Sequence, residues 1–167
     1  LIFARRAMYA GFVLSLATAW TLPDPRAALL RALRPQQWLK NLLVFVPLLA
    51  DLAFDGPSVF AAIMAFVALS FVASAGYVVN DLLDLADDRS HPRKCRRPFA
   101  SGALSVRVGT FLFPVLLLGG LLSALSVSPL LLAVVALYFV ATISYSLKLK
   151  RHTMVDICML ATLFTLR

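Results

Sequence analysis

Residues 57–79 contain no charged side chain, and neither do residues 129–147. Between them, residues 104–127 are interrupted only by Arg107. A spanning helix needs about 20 predominantly apolar residues, so each of these runs is long enough to cross a bilayer. In hydrocarbon every backbone N–H and C=O must be satisfied within its own segment, which leaves helices as the economical solution. Two further runs extend the pattern. Residues 38–54 are apolar apart from Lys40, Asn41 and Asp51, and residues 153–166 carry a single charge, Asp156. The expected fold class is therefore all-α, a polytopic transmembrane helix bundle with four spans and the start of a fifth.

The connections alternate. Residues 52–58 and 126–129 hold no lysine or arginine, whereas residues 80–103 carry Arg89, Arg93, Lys94, Arg96 and Arg97. Lys148, Lys150 and Arg151 form another basic turn, and Arg26, Arg31, Arg34 and Lys40 lead into the first span. The positive-inside rule puts the three basic segments on the cytoplasmic face of the cell (inner) membrane and the two neutral turns outside. The same clustering argues against nucleic acid as the partner for the net charge of +8. At 61% hydrophobic and 14% charged, the chain lies outside the soluble norm. Residues 7–20 are short for a span and read as an interfacial or buried helix, separated from the first span by a link broken at Pro23 and Pro25. The chain divides into an N-terminal segment and linker, 1–33, and a transmembrane part, 34–167. It opens on Leu1 and stops at Arg167 within an apolar run, so a longer parent protein is expected.

Chemistry concentrates where the second span ends, in Asn80-Asp81-Leu82-Leu83-Asp84-Leu85-Ala86-Asp87-Asp88. If the helix continues, Asp81, Asp84 and Asp88 fall on one face, with Asp87 off it. Two readings are open. The acids form a solvated helix end paired with the arginines that come after them, or they hold Mg²⁺ against a diphosphate, since magnesium binds through carboxylates plus substrate phosphates. His91, Pro92, Arg93, Lys94, Arg96, Arg97 and Pro98 come next, a proline-stiffened basic loop suited to phosphate oxygens. Ordered acids succeeded by ordered bases favour the second reading.

The pattern Asn80-Asp81-x-x-Asp84-x-x-x-Asp88, then His91-Pro92-x-Lys94-x-x-Arg97-Pro98-x-x-x-Gly102, resembles the first aspartate-rich motif of the UbiA superfamily of membrane prenyltransferases. Arg34-Pro35-x-Gln37-Trp38-x-Lys40-Asn41 and Tyr145 with Lys150-Arg151 resemble two further motifs of that family, in the same order. The resemblance implies a bundle of about nine helices with a cytoplasmic cavity, where two aspartate motifs bind Mg²⁺ and a diphosphate donor. This chain supplies the first. Within the superfamily the motif pairing is most similar to the decaprenyl-phosphate phosphoribosyltransferase branch, which implies a polyprenyl lipid and a diphosphate-bearing sugar as substrates. The resemblance assigns metal binding and catalysis to Asp81, Asp84 and Asp88. It assigns substrate contacts to Lys40, Asn41, Asn80, His91, Lys94, Arg97, Tyr145 and Lys150.

Other residues take plainer roles. Trp38 suits an interfacial anchor. Gly76, Gly119 and Gly120 suit close packing between helices, and Pro114 a kink. Asp156 is either a functional charge in lipid or an interfacial residue. Cys95 and Cys158 are too isolated for a disulfide framework or zinc site. A transporter subunit would place charges deep within several spans, and a structural adaptor would not need ordered acids.

Overall fold

The computed structural model describes residues 24–52 and 54–147, apart from the side chains of Tyr145 and Leu147. Among these residues all regular structure is helical. The opening helix α1, Pro25–Leu33, begins with Pro25 and is capped by Asp24, whose carboxylate accepts the Arg26 N–H at 3.0 Å. It ends at Arg34, whose backbone is left-handed with φ 51° and ψ 57°.

The first apolar run is wound differently from the expected α-helix. Pro35–Phe45 form an 11-residue 3-10 helix, the lead-in helix, succeeded by the short α2, Val46–Ala50. Such long 3-10 runs are uncommon, and the neighbouring helix explains this one. Three residues per turn bring 35, 38, 41 and 44 onto one stripe. Trp38 Nε1 donates to Ser74 Oγ at 3.0 Å and Asn41 Nδ2 donates to Ser70 Oγ at 3.1 Å. Val44 packs against the core around Ala68 and Leu69. Three 3-10 residues and four α residues both advance about 6 Å, so rungs spaced three apart on one helix meet rungs spaced four apart on the other. Pro47 then ends the pattern at the start of α2. The 11 residues at ~2 Å and 5 more at ~1.5 Å reach about 30 Å, roughly the hydrocarbon thickness.

The central element is α3, Gly56–Leu83, capped by Asp55, which accepts the Ser58 N–H at 3.1 Å. It contacts α1, the lead-in helix and the two later long helices, α5 (Val106–Leu125) and α6 (Pro129–Leu147). Between α3 and α5 lie α4, Leu85–Ser90, and a 3-10 turn, Lys94–Arg96. A Cβ on Gly120 would stand 2.6 Å from Val72 and 3.0 Å from the Ala68 carbonyl, so this glycine sets how closely α5 lies on α3. Gly119 meets Phe71 and Gly76 meets Thr142, as the close-packing reading required. Pro114 lies inside α5.

Two apolar clusters form the core. One gathers Ala75, Val78, Phe99 and Leu116 with Ala28 and Ala32 of α1, and the other gathers Ala68, Val72, Ala124, Val135 and Tyr138. Both α3 and α5 are long and apolar enough to cross a membrane by length and composition. Unlike the core helix of a soluble domain, α5 leaves Phe111 at 78% and Leu122 at 64% exposure. The lead-in helix with α2 precedes α3 and α5, and α6, a shorter apolar helix, comes after; residues 7–20 and 153–166 lie outside the described residues.

Candidate functional site

At the far end of α3 from Asp55, the helix breaks at Asp84 and resumes as α4. Its hydrogen-bond ladder hardly notices. Asp84 N–H reaches Asn80 O at 3.0 Å, and Asp88 N–H reaches Asp84 O at 2.8 Å. Asp81 and Asp88 therefore keep their common side, and both side chains are sealed at 1% exposure. Burying two carboxylates is tolerable only with cations beside them. Two arginines provide these. Arg34 Nη2 contacts Asp81 Oδ1 at 2.7 Å, while Arg97 Nη1 alone contacts Asp81 Oδ1 at 3.2 Å and Asp88 Oδ2 at 2.6 Å.

Arg34 is held from three directions. Its left-handed backbone turns the chain out of α1, Pro35 fixes the start of the lead-in helix, and its guanidinium carbon lies 4.7 Å from the Tyr77 ring centroid. Ser74 Oγ donates to Leu33 O at 2.8 Å and ties that turn to α3. Sequence reasoning placed Arg34 in a motif but gave it no site role. The missing signal is spatial, because Arg34 and Asp81 are 47 positions apart.

Arg97 arrives on the loop. His91 Nδ1 accepts the N–H groups of Arg93 and Lys94 at 3.2 and 3.4 Å, which starts the 3-10 turn. Pro98 and Phe99 are buried, and Phe99 fills the space left by Gly109. Gly102, with φ 78°, makes the turn that lets Leu104 N–H bond Pro98 O at 2.9 Å. Phe99 was not singled out from sequence, although one aromatic in a charged loop is a visible sign of an anchor.

The remaining expected residues are spread out. Asn80 and Asp84 are half-buried beside Asp81, and His91 and Lys94 are exposed on the loop. Lys40 is exposed and off the 35/38/41/44 stripe, whereas Asn41 is fully buried against Ser70. Tyr145 belongs to α6 by its backbone; its side chain, Lys150, Arg151, His152, Asp156 and Cys158 lie outside the described residues. Cys95 is a free thiol whose Sγ bonds Pro92 O at 3.4 Å within the loop.

Among the described residues no group of three or more His, Cys, Asp or Glu side chains is gathered closely enough to hold a metal by itself. Of the solvated helix end paired with the arginines after it, one of the two readings open from sequence, only the Arg97 contacts are present; both carboxylates are buried, and Arg34 reaches Asp81 from earlier in the chain. Yet Asp88 Oδ1 is buried with no hydrogen-bond partner among the described residues. A spare anionic oxygen beside a second carboxylate fits a hard cation that takes few protein ligands and completes its shell from substrate phosphates.

The model of the UbiA prenyltransferase family matches residues 42–167. The chain belongs to the UbiA prenyltransferase family. Relatives of this UbiA chain include the y4nM protein of Sinorhizobium fredii, 40% identical over 139 residues, covering 83% of this chain and 27% of the relative. The nodulation protein NoeC of Azorhizobium caulinodans is 37% identical over 152 residues, covering 89% and 48%. The decaprenyl-phosphate phosphoribosyltransferase of Mycobacterium tuberculosis is 36% identical over 146 residues, covering 84% and 48%. The UbiA chain thus spans about half or less of the length of these relatives. Family membership and the apolar helices make it a membrane protein.

Proposed function

We propose that the chain contributes the first half of the active site of a Mg²⁺-dependent membrane transferase that moves phosphoribosyl from phosphoribosyl diphosphate to a polyprenyl phosphate. The carrying observation is the buried Asp81–Asp88 pair, with one carboxylate oxygen that has no partner among the described residues, set beside a basic loop. The relatives named decaprenyl-phosphate phosphoribosyltransferase support the choice of substrates.

Asp81 and Asp88, with Asp84 beside them, would hold the ion. Magnesium, when bound, neutralises charge on a departing diphosphate. Arg97, Lys94 and His91 are the groups for phosphate oxygens, with Lys40, Asn80, Tyr145 and Lys150 drawn from neighbouring segments; Asn41, buried against Ser70, is not among them. An oxygen of the lipid phosphate forms the new bond to ribose C1 while the C1–O bond to diphosphate breaks and its electron pair leaves with the diphosphate. Arg34 touches neither substrate in this scheme; it fixes the Asp81 carboxylate. The basic segments would face the cytoplasm of the inner membrane. Prenyl transfer from a prenyl diphosphate to an aromatic or lipid acceptor is the second reading, favoured by the name of the matched family. A transporter is disfavoured because the long runs 57–79 and 129–147 carry no charge.

Membranes containing the full protein, given radiolabelled phosphoribosyl diphosphate and polyprenyl phosphate, decide between the readings. Label passing into the lipid phase in a Mg²⁺-dependent way is the expected result. Transfer only from a prenyl diphosphate would select the second reading. Unchanged turnover in Asp84→Ala would remove Asp84 from the site.

A further inference from the structure

The two arginines at the Asp81–Asp88 pair are held in different ways. Arg34 is fixed by its left-handed turn, by Pro35 and by the Tyr77 ring. Arg97 projects from an extended loop residue, φ −63° and ψ 147°, with no ring beside it among the described contacts; the two arginine side chains are similarly exposed, 25% and 21%. Arginine binds one carboxylate best through two parallel N–H bonds. Here a single nitrogen, Nη1, reaches an oxygen of each acid, which is the position a point cation between two carboxylates would take. The Asp88 oxygen it leaves unused is buried and has no partner among the described residues, so the guanidinium does not exhaust what the acids offer.

We propose that Arg97 is a displaceable counter-ion, which neutralises Asp81 and Asp88 while the site is free of metal and is driven off them when a divalent cation binds. The proposal rests on the metal reading of Asp81 and Asp88 given under the proposed function. With Arg34 fixed, two carboxylates are balanced by two guanidinium groups. Adding a divalent ion would take this neutral group to an excess of two positive charges, and releasing one guanidinium halves that excess. Arg97 is the one free to leave, and its loop sets it where incoming phosphate oxygens would receive it. The same side chain thus opposes cation binding alone and favours cation with diphosphate, which couples metal loading to donor arrival.

Coupling between sites is reciprocal, so removing the competitor must strengthen the metal's hold. The test is binding of Mn²⁺ alone, read by electron paramagnetic resonance, to the full protein in lipid nanodiscs. Arg97→Gln is expected to bind Mn²⁺ roughly tenfold tighter than wild type without diphosphate, and inorganic pyrophosphate with Mn²⁺ more weakly. Arg107→Gln, an exposed change of equal charge outside the basic loop, is expected to move neither value appreciably. Unchanged or weaker Mn²⁺ binding by Arg97→Gln overturns the exchange, as does an equal gain in Arg107→Gln. Should wild type and variants all fail to bind Mn²⁺ even with pyrophosphate, the metal reading itself falls and the exchange with it. If Arg97→Gln does not fold, hydrogen exchange on wild type answers the question. Mn²⁺ alone should loosen residues 91–102, and a loop left unchanged or better protected rejects the exchange.

Discussion

Asp55 stands just before the first residue of α3 and Asp81 in its last turn. Asp55 is exposed and accepts a backbone N–H, the ordinary work of a residue at a helix N-terminus, where the dipole also favours negative charge. Asp81 is sealed, and it lies at the end where the same dipole disfavours a carboxylate. One acid is placed where it stabilises the helix. The other is kept where it costs stability unless Arg34 and Arg97 stay beside it. The proposed metal role would account for an acid kept against both burial and dipole.

The sharpest way to break this contrast is to neutralise each acid in turn. Asp81→Asn, nearly isosteric, is expected to lower transferase turnover of the full protein by roughly 100-fold or more, as loss of a group that stabilises developing charge does. Asp55→Asn keeps a capping oxygen and should leave turnover within about twofold, since surface changes of this kind shift little. Similar losses in both would show that Asp81 acts only on the fold.

Stability should track the partners in the same order. Arg34→Ala leaves Asp81 buried with Arg97 as its remaining described partner and is expected to cost about 2–3 kcal/mol in chemical denaturation in detergent. Ser58→Ala at the other end keeps the backbone N–H that Asp55 accepts, and is expected within about 0.5 kcal/mol of wild type. Between the two ends, Ser74→Ala removes an acceptor for Trp38 and a donor to Leu33 O, for about 1–2 kcal/mol. Trp38→Phe, which removes only one of these bonds, should cost less than Ser74→Ala if the serine joins both.

Much of this arrangement could be read before any coordinates. The charge-free runs 57–79 and 129–147 dictate helices because lipid leaves the backbone no other partner, and Asp81, Asp84 and Asp88 announce themselves by spacing. What stayed hidden depends on contacts across the chain. Trp38, Asn41 and Val44 spell a three-residue repeat, but it becomes a 3-10 helix only against Ser74 and Ser70 of α3. Nothing local to Arg34 points to Asp81. Equally, nothing local to Asp88 says that Arg97, rather than Arg93 or Arg96, will reach it; the burial of Phe99 decides that.

The smallest expected effect lies at the solvated end of α3. Hydrogen bonds from Ser58 hold the Asp55 carboxyl below its usual range, because they favour the charged form. A group whose folded pKa is depressed contributes stability above its unfolded pKa and loses that contribution as pH falls through the folded value. The window therefore opens near the ordinary aspartate value of about 4 and runs downward from it. Asp55→Asn cannot titrate, so its unfolding midpoint should converge toward that of wild type as the pH is lowered through this window, having been slightly below it at neutral pH. A gap between the two proteins that stays constant across the window would mean that the cap contributes through its hydrogen bond alone. In that case the contrast with Asp81 would rest on burial and not on the direction of the helix dipole.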